Sequence, residues 1–148
     1  MTDRERSPVP VRCTPPGWPP PVLLLVGEPA SARAAREFVR DHVRRHAPDA
    51  SDDHVETVVL VACELVTNSV RYGTAGPDDF LRLVVDADDI RTRVEVHDRV
   101  RRHPRLRPAS AHRTRGRGLV ILDALCPGRW GVTDLAEGKS VWAEVKAT

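Results

Sequence analysis

Hydrophobic positions along this chain recur with two different periods, and each period predicts a different type of element. Apolar residues that return every three or four positions indicate an amphipathic helix, whereas alternation, or a short apolar run closed by Gly and Pro, indicates a strand. The predicted helices are 30–47, 51–73 and 119–125. The predicted strands are 22–26, 80–86, 90–98, 129–135 and 139–146.

The second helix carries the clearest boundary signals. Ser51 is followed by Asp52 and Asp53, an N-cap with acidic residues in the first turn, and Gly73 suits the residue after a helix end. Between these ends the helix is apolar over a wide arc, which is typical of a helix that packs on two sides. We therefore expect a central helix about 33 Å long.

The strand 90–98 ends on a carboxylate that belongs to its apolar face. Apolar residues and Thr92 alternate with charged residues along this strand, and the same alternation places Asp98 on the apolar side. A carboxylate that is buried in this way requires a hydrogen-bond donor. The pattern leaves two interpretations open, because the donor is a ligand or, if Asp98 caps a turn at the strand end, a local group.

Proline content separates the chain into a tail and a domain. Residues 1–21 hold seven prolines, a density that favours extended chain without packed structure. We expect 1–21 to be a disordered tail and 22–148 to form one domain, since 148 residues usually build one. Residues 99–115 have no periodic pattern and predict a long loop, of the kind that often covers a binding site.

Composition adds little to this picture, and charge adds one local feature. A chain with 41% hydrophobic residues, 30% charged residues and a formal net charge of +2 is typical of a globular protein. Eight arginines and no acid lie in 99–117, but no aromatic residue is interleaved with them, so nucleic-acid binding is only a minor alternative. The three cysteines lack metal or disulfide spacing and no apolar run reaches membrane length. We therefore expect a cytoplasmic protein that contacts neither membrane nor nucleic acid.

Glu64 and Asn68 are spaced one helical turn apart in the second half of the central helix. Side chains at i and i+4 share a helix face, so the carboxylate and the carboxamide can converge on one point. An Asn oxygen is a ligand that Mg²⁺ accepts, and a carboxylate can take a proton from an attacking hydroxyl. The alternative interpretation is an ordinary solvated helix face, which the pair alone does not exclude.

Gly116 and Gly118 precede the third helix and give a second chemical signal. Glycines allow the backbone to approach a ligand closely, and a helix N-terminus presents free amide groups to an anion such as phosphate. The nearby arginines could close over the same anion. A flexible hinge and a solvated basic loop are the alternatives.

The order of these features along the chain resembles one known family. The helical run 64–73, the strand ending at Asp98, the long loop, the glycine turn 116–119 and the final strand pair through 138–142 resemble the histidine-kinase-like ATPase domain, and most closely its bacterial anti-sigma regulatory serine kinases. The resemblance implies an α/β (α+β) fold of the Bergerat type. This is a two-layer α/β sandwich in which three helices cover a mixed, mostly antiparallel sheet.

The resemblance also implies roles for individual residues. Asn68 would hold the Mg²⁺ that bridges the phosphates of ATP, and Glu64 would be the general base toward a serine hydroxyl of a partner protein. Asp98 would accept the amino group of adenine, and Ser140 would help to close the adenine pocket. The other residues implied to bind the cofactor are Arg71, Gly116, Arg117, Gly118 and Leu119.

The function implied is an ATP- and Mg²⁺-dependent serine/threonine protein kinase that phosphorylates an anti-sigma-factor antagonist, sequesters a sigma factor and switches between these partners. The family commonly places Gly or Ser two residues after the aspartate, but this chain has Val100 there, and its next glycine is Gly116. A β-branched residue does not easily adopt positive φ. The alternative is therefore a non-catalytic, degenerate ATPase-fold module that regulates by protein binding alone. Family members are often dimers, and a homodimer is left open.

Overall fold

Eight elements run through the residues that the computed structural model describes, which are 22–26, 31–72, 80–99 and 117–147. The predicted tail and most of the predicted long loop lie outside these residues. In chain order the elements are β1 Val22–Val26, α1 Ser31–His46, α2 Asp52–Tyr72, β2 Phe80–Ala87, β3 Arg91–Asp98, α3 Arg117–Leu125, β4 Trp130–Leu135 and β5 Gly138–Lys146.

The five strands form one sheet in the order β1-β2-β3-β5-β4. All four pairs of neighbouring strands within the described residues are antiparallel. The last strand along the chain therefore lies inside the sheet, between β3 and β4. Two tight hairpins, β2–β3 and β4–β5, supply four of the five strands.

Helices cover one face of this sheet, which confirms the predicted two-layer α/β fold. The helix α2 is central, because it packs against α1 on one side and α3 on the other and also contacts β3 and β5. Alternate strand residues face the helices and are buried, as a period of two requires. They include Leu81, Leu83, Val85, Val94, Val96, Val141, Ala143 and Val145.

Two buried side-chain hydrogen bonds tie α2 to β3, one near each end of the helix. His54 Nε2 lies 3.1 Å from Thr92 Oγ1, and Ser69 Oγ donates to Asp98 Oδ2 at 3.2 Å. The fifteen helical steps from residue 54 to residue 69 rise about 22 Å, and the six strand steps from 92 to 98 span about 20 Å. The helix and the strand therefore run side by side in the same direction.

The helix α2 begins where the sequence predicts. Ser51 Oγ accepts a hydrogen bond from the backbone N–H of His54 at 3.0 Å, which is the N-cap arrangement. The prediction was wrong for the start of β3, because Ile90 lies in the turn before the strand and is 75% exposed. Asp88 forms that turn by accepting hydrogen bonds from the backbone N–H groups of Ile90 and Arg91.

The face of the sheet opposite the helices carries a network of charged and aromatic side chains. The Arg93 guanidinium lies 4.4 Å from the ring centroid of Trp142 and forms ion pairs with Glu95 and Glu144 at 2.7 and 3.1 Å. His97 Nε2 lies 2.9 Å from the other oxygen of Glu95. We call the face of the sheet opposite the helices the open face. Every second side chain of β3 and β5 points to it.

Candidate functional site

The C-terminal half of α2 carries the predicted pair of Glu64 and Asn68. Both side chains are half-buried. The Asn68 Nδ2 atom is buried and, among the residues that the structure describes, has no hydrogen-bond partner. A buried polar atom is normally hydrogen-bonded, so this amide has unused binding capacity. The residue that follows it, Ser69, is buried and hydrogen-bonds to Asp98.

Asp98 lies on the helix-facing side of β3, as its alternation predicts, and is only 3% exposed. Both of its carboxylate oxygens accept hydrogen bonds from other elements. Ser69 Oγ donates to Oδ2 from α2, and Lys139 Nζ donates to Oδ1 from β5 at 2.9 Å. The buried carboxylate thus has donors from within the chain, which the sequence analysis did not identify.

The register between β3 and β5 explains why Lys139 meets Asp98. The two residues are direct cross-strand partners, so their side chains leave the sheet on the same face. Ser140 is instead the partner of His97. Its side chain lies on the open face, where its hydroxyl donates to Glu95 at 3.3 Å.

Ser140 therefore does not share a face of the sheet with Asp98, and the role implied for it in an adenine pocket stays a prediction. The physical reason is strand alternation, since neighbouring residues of β5 point to opposite faces of the sheet. The residue of β5 that shares a face with Asp98 is Lys139, which is 3% exposed. Two functional candidates, Lys139 and Ser69, thus join the site from the structure.

Gly138 brings the start of β5 against the end of β3. Its φ of 115° lies in the region that favours glycine, and a Cβ at this position would overlap the backbone oxygen of Asp98 and lie 2.6 Å from Arg99 Cα. Only a residue without a side chain allows this approach. Gly138 therefore helps to fix where Lys139 and Asp98 meet.

Electrostatics on the open face differ from those around Asp98. Burial on its own raises the pKa of Glu95, but hydrogen bonds from His97 and Arg93 outweigh it and lower the pKa to about 2. Glu95 is therefore an anion over the whole physiological range. It holds Ser140 in a structural network rather than in a site that faces the helices.

Neither cysteine in the described part of the chain has the properties of an activated nucleophile. Cys63 on α2 is half-buried, Cys126 after α3 is buried, and both are free thiols. Burial raises the pKa of each thiol above its usual value. Both therefore act as small apolar residues, as the sequence predicts.

Several predicted site residues lie outside the description or are described by their backbone alone. Gly116 is outside the described residues, and α3 begins at Arg117. The roles implied for Arg71, Arg117, Gly118 and Leu119 remain predictions. No cluster of three or more His, Cys, Asp or Glu side chains suited to a metal occurs in 22–26, 31–72, 80–99 or 117–147.

The residues present fit the phosphates of a magnesium nucleotide more closely than they fit its base. Asn68 offers a buried N–H donor without a partner in the described residues, one turn from the Glu64 carboxylate, and such a donor suits a phosphate oxygen. The role implied for the Asn68 oxygen toward Mg²⁺ stays a prediction. Asp98 suits an amino group, but Lys139 already donates to it. Any base that binds here has to meet both members of this ion pair.

Comparisons with known proteins agree with the fold and with the resemblance in the sequence. The family model of the histidine kinase-like ATPase domain matches residues 25–127 of the chain. No curated protein matches the sequence. None of the helices in the described residues combines the length and hydrophobicity that crossing a bilayer requires.

Among solved structures, the crystal structure of the RsbU and RsbW domains of Rv1364c from Mycobacterium tuberculosis is similar, with a TM-score of 0.57 and 19% sequence identity. The match covers 86% of this chain and 32% of that one, so this chain spans about a third of the length of the solved protein. At this identity the likeness concerns the fold. Together with the match over 25–127, the sheet order and the central helix, it leads to one conclusion: the chain belongs to the histidine kinase-like ATPase domain family.

Proposed function

We propose that this chain is an ATP- and Mg²⁺-dependent serine/threonine protein kinase and anti-sigma factor that works by partner switching with an anti-sigma-factor antagonist. Membership of the histidine kinase-like ATPase domain family supports nucleotide binding. The resemblance of the sequence to anti-sigma regulatory serine kinases and the likeness to a structure that includes an RsbW domain support the partner class.

The observation that carries this proposal is the state of Asn68. Its amide nitrogen is buried and, within the described chain, unpartnered, although α2 is otherwise a well-packed helix with a buried apolar stripe. A purely structural residue at this position would gain from being apolar, because an unsatisfied buried polar atom costs about 1–3 kcal/mol. A phosphate oxygen of a bound nucleotide that accepts a hydrogen bond from Nδ2 removes that cost.

Glu64 and Asn68 have separate roles in the proposed reaction. Asn68 holds Mg²⁺ through its side-chain oxygen, and the magnesium nucleotide, when bound, supplies the phosphoryl group. Glu64 accepts the proton of the serine or threonine hydroxyl of the antagonist. Its half-buried position, one turn before Asn68, suits a base that is partly shielded from water yet reachable by a protein substrate.

Calorimetric titration of the purified protein with ATP and Mg²⁺ tests the nucleotide site. We expect binding in the wild type that Asn68→Ala and Asp98→Asn each weaken at least tenfold. Thr67→Ala is the matched control, because it changes the neighbouring half-buried residue of the same helix. Equal affinity in the wild type and in Asn68→Ala would remove Asn68 from the site.

Transfer of labelled phosphate from ATP to a candidate antagonist tests the reaction. A general base contributes about 10²- to 10⁴-fold to the rate, so Glu64→Gln should bind ATP normally and transfer phosphate at least 100-fold more slowly. Glu56→Gln is the control, since Glu56 lies on the exposed side of the same helix. Undiminished transfer by Glu64→Gln would exclude the proposed role.

A second candidate function is the non-catalytic module, and the pairing of Asp98 favours it. A carboxylate that already accepts hydrogen bonds from Ser69 and Lys139 is less available to a base. Partner binding that is equally tight with and without ATP, and unaffected by Asn68→Ala, would favour this function. Binding of a sigma factor, the cytoplasmic location and a homodimer remain predictions.

A further inference from the structure

The contact between Asp98 and Lys139 is one of the most deeply buried ion pairs among the described residues. Their side chains are 0% and 3% exposed, and 2.9 Å separates Lys139 Nζ from Asp98 Oδ1. Ser69 donates to the other carboxylate oxygen. In this arrangement the carboxylate presents no exposed atom to a ligand, and Lys139 holds the oxygen that Ser69 leaves.

The lysine donates to Asp98 in the way that the amino group of a base would. Both are N–H donors, and both need an acceptor in a site from which water is excluded. The ammonium is the stronger donor because its hydrogen bond is charge-assisted. Because the carboxylate is fully buried and already accepts two hydrogen bonds, the two donors compete for the same small space beside it, and the chain supplies the lysine at a fixed high effective concentration.

The presence of lysine rather than arginine at position 139 supports a side chain that can move away from Asp98. Only two of the 23 basic residues, Lys139 and Lys146, are lysines, and all the others are arginines. An arginine would hold a carboxylate with a rigid, often bidentate fork, whereas lysine makes a point contact at the end of a flexible four-carbon chain. The buried position thus carries the basic residue that leaves a carboxylate more readily.

We propose that Lys139 sets the nucleotide affinity and base selectivity of this site by competing with the amino group of the base for Asp98. This inference rests on the proposed function, since it concerns the same nucleotide site. The base binds only to molecules in which Lys139 has left Asp98, so the apparent dissociation constant is the intrinsic one divided by the populated fraction of that state.

The size of the effect follows from this relation. A minor conformational state that is about 1–10% populated raises the apparent dissociation constant about ten- to a hundredfold. Removing the ammonium in favour of a neutral side chain that is one atom shorter should recover that factor. Lys139→Gln does so, and the buried carboxylate keeps its hydrogen bond from Ser69, so the variant should fold.

The test compares ATP binding with Mg²⁺ by calorimetry in four proteins: the wild type, Lys139→Gln, Lys139→Arg and Lys146→Gln. We expect Lys139→Gln to bind ATP about ten- to a hundredfold more tightly than the wild type. Lys139→Arg should bind no more tightly than the wild type, because it keeps the charge and grips the carboxylate with two donors. Lys146→Gln is the matched control, an exposed lysine at the end of the same strand, and should be unchanged.

Purine riboside triphosphate, which lacks the amino group of ATP, tests the competition itself. We expect Lys139→Gln to gain affinity for ATP but to gain less than threefold for this analogue. If the wild type binds ATP and Lys139→Gln binds it equally, or if both nucleotides gain alike, the inference is overturned while the proposed function stands. If neither protein binds ATP, both are overturned. Should Lys139→Gln fail to fold, tighter ATP binding by Lys139→Arg than by the wild type would still overturn the inference.

Discussion

Lys139 and Asp98 face each other directly across β3 and β5, although 41 positions separate them in the sequence. They form a buried ion pair whose partners each lose hydration on folding, and such a pair is costly to break one side at a time. The same contact lies where the family resemblance expects a nucleotide base. A substitution at either residue is therefore expected to change both the stability of the fold and the binding of a nucleotide.

Double-mutant analysis should show strong coupling between these two residues. Lys139→Met leaves a buried carboxylate without its ammonium, so we expect the free energy of unfolding to fall by about 3–5 kcal/mol. Asp98→Asn strands the ammonium and should cost a similar amount. The double variant should lose clearly less than the sum, as measured by urea denaturation. Additive losses would mean that the ion pair is not formed in solution.

Two glycines with positive φ should respond differently to alanine. At Gly138 a methyl group would overlap the backbone of Asp98, whereas at Gly128, with φ of 72°, it would meet nothing within 4 Å. Gly128→Ala should cost about 1–2 kcal/mol, the usual cost of a side chain in the left-handed region. Gly138→Ala should cost more than about 3 kcal/mol and weaken ATP binding. Equal thermal stability of the two variants would contradict the close approach of β5 to β3.

Asn68 should be a residue whose replacement stabilises the protein. Alanine removes a buried unpartnered amide and is a better helix former, so Asn68→Ala should raise the free energy of unfolding by about 0.5–1 kcal/mol. The same variant should lose ATP affinity. Chemical denaturation and calorimetry on one preparation check both effects. A clear loss of stability would mean that the amide has a structural partner instead.

Acid should destabilise the protein through Glu95. Because its pKa is lowered from 4.5 to about 2 in the folded state, its contribution is fully present above pH 4.5 and is lost as the pH falls toward 2. The contribution at neutral pH is at most about 3 kcal/mol. Glu95→Gln should remove this part of the pH dependence when urea denaturation is compared at pH 6 and pH 3. Glu137→Gln, in the exposed turn before β5, should keep the wild-type dependence.

Local patterns in the sequence were sufficient for most elements of the fold. Alternation in β3 placed Asp98 on the buried face, and the Ser51 cap fixed the start of α2, because both signals are carried by neighbouring residues. The structure also confirms the two-layer fold, which the resemblance to the family implied. The apolar stripe of α2 could also have placed Ser69 on the buried side, since it follows Leu65 by one turn and is buried as well.

The partner of Asp98 was beyond such reasoning, because no local pattern reveals which strand lies beside β3. Counting back along β5 from Val141 does place Lys139 on the apolar face, and that alternation could have drawn attention to it. The family pattern drew attention to Ser140 instead. A difference of one position in a strand changes the face, so of these two neighbours only Lys139 shares a face of the sheet with Asp98.

The position of β5 inside the sheet has a consequence for how the protein is made. Until residues 138–146 have left the ribosome, β3 has an unpaired edge and Asp98 lacks its cross-strand partner. A nascent chain that has emerged only through α3 therefore exposes the edge of β3 and the carboxylate of Asp98, which is buried in the complete fold. We expect such a chain to require protection by a chaperone, and nucleotide binding to begin only after translation has passed the last strand.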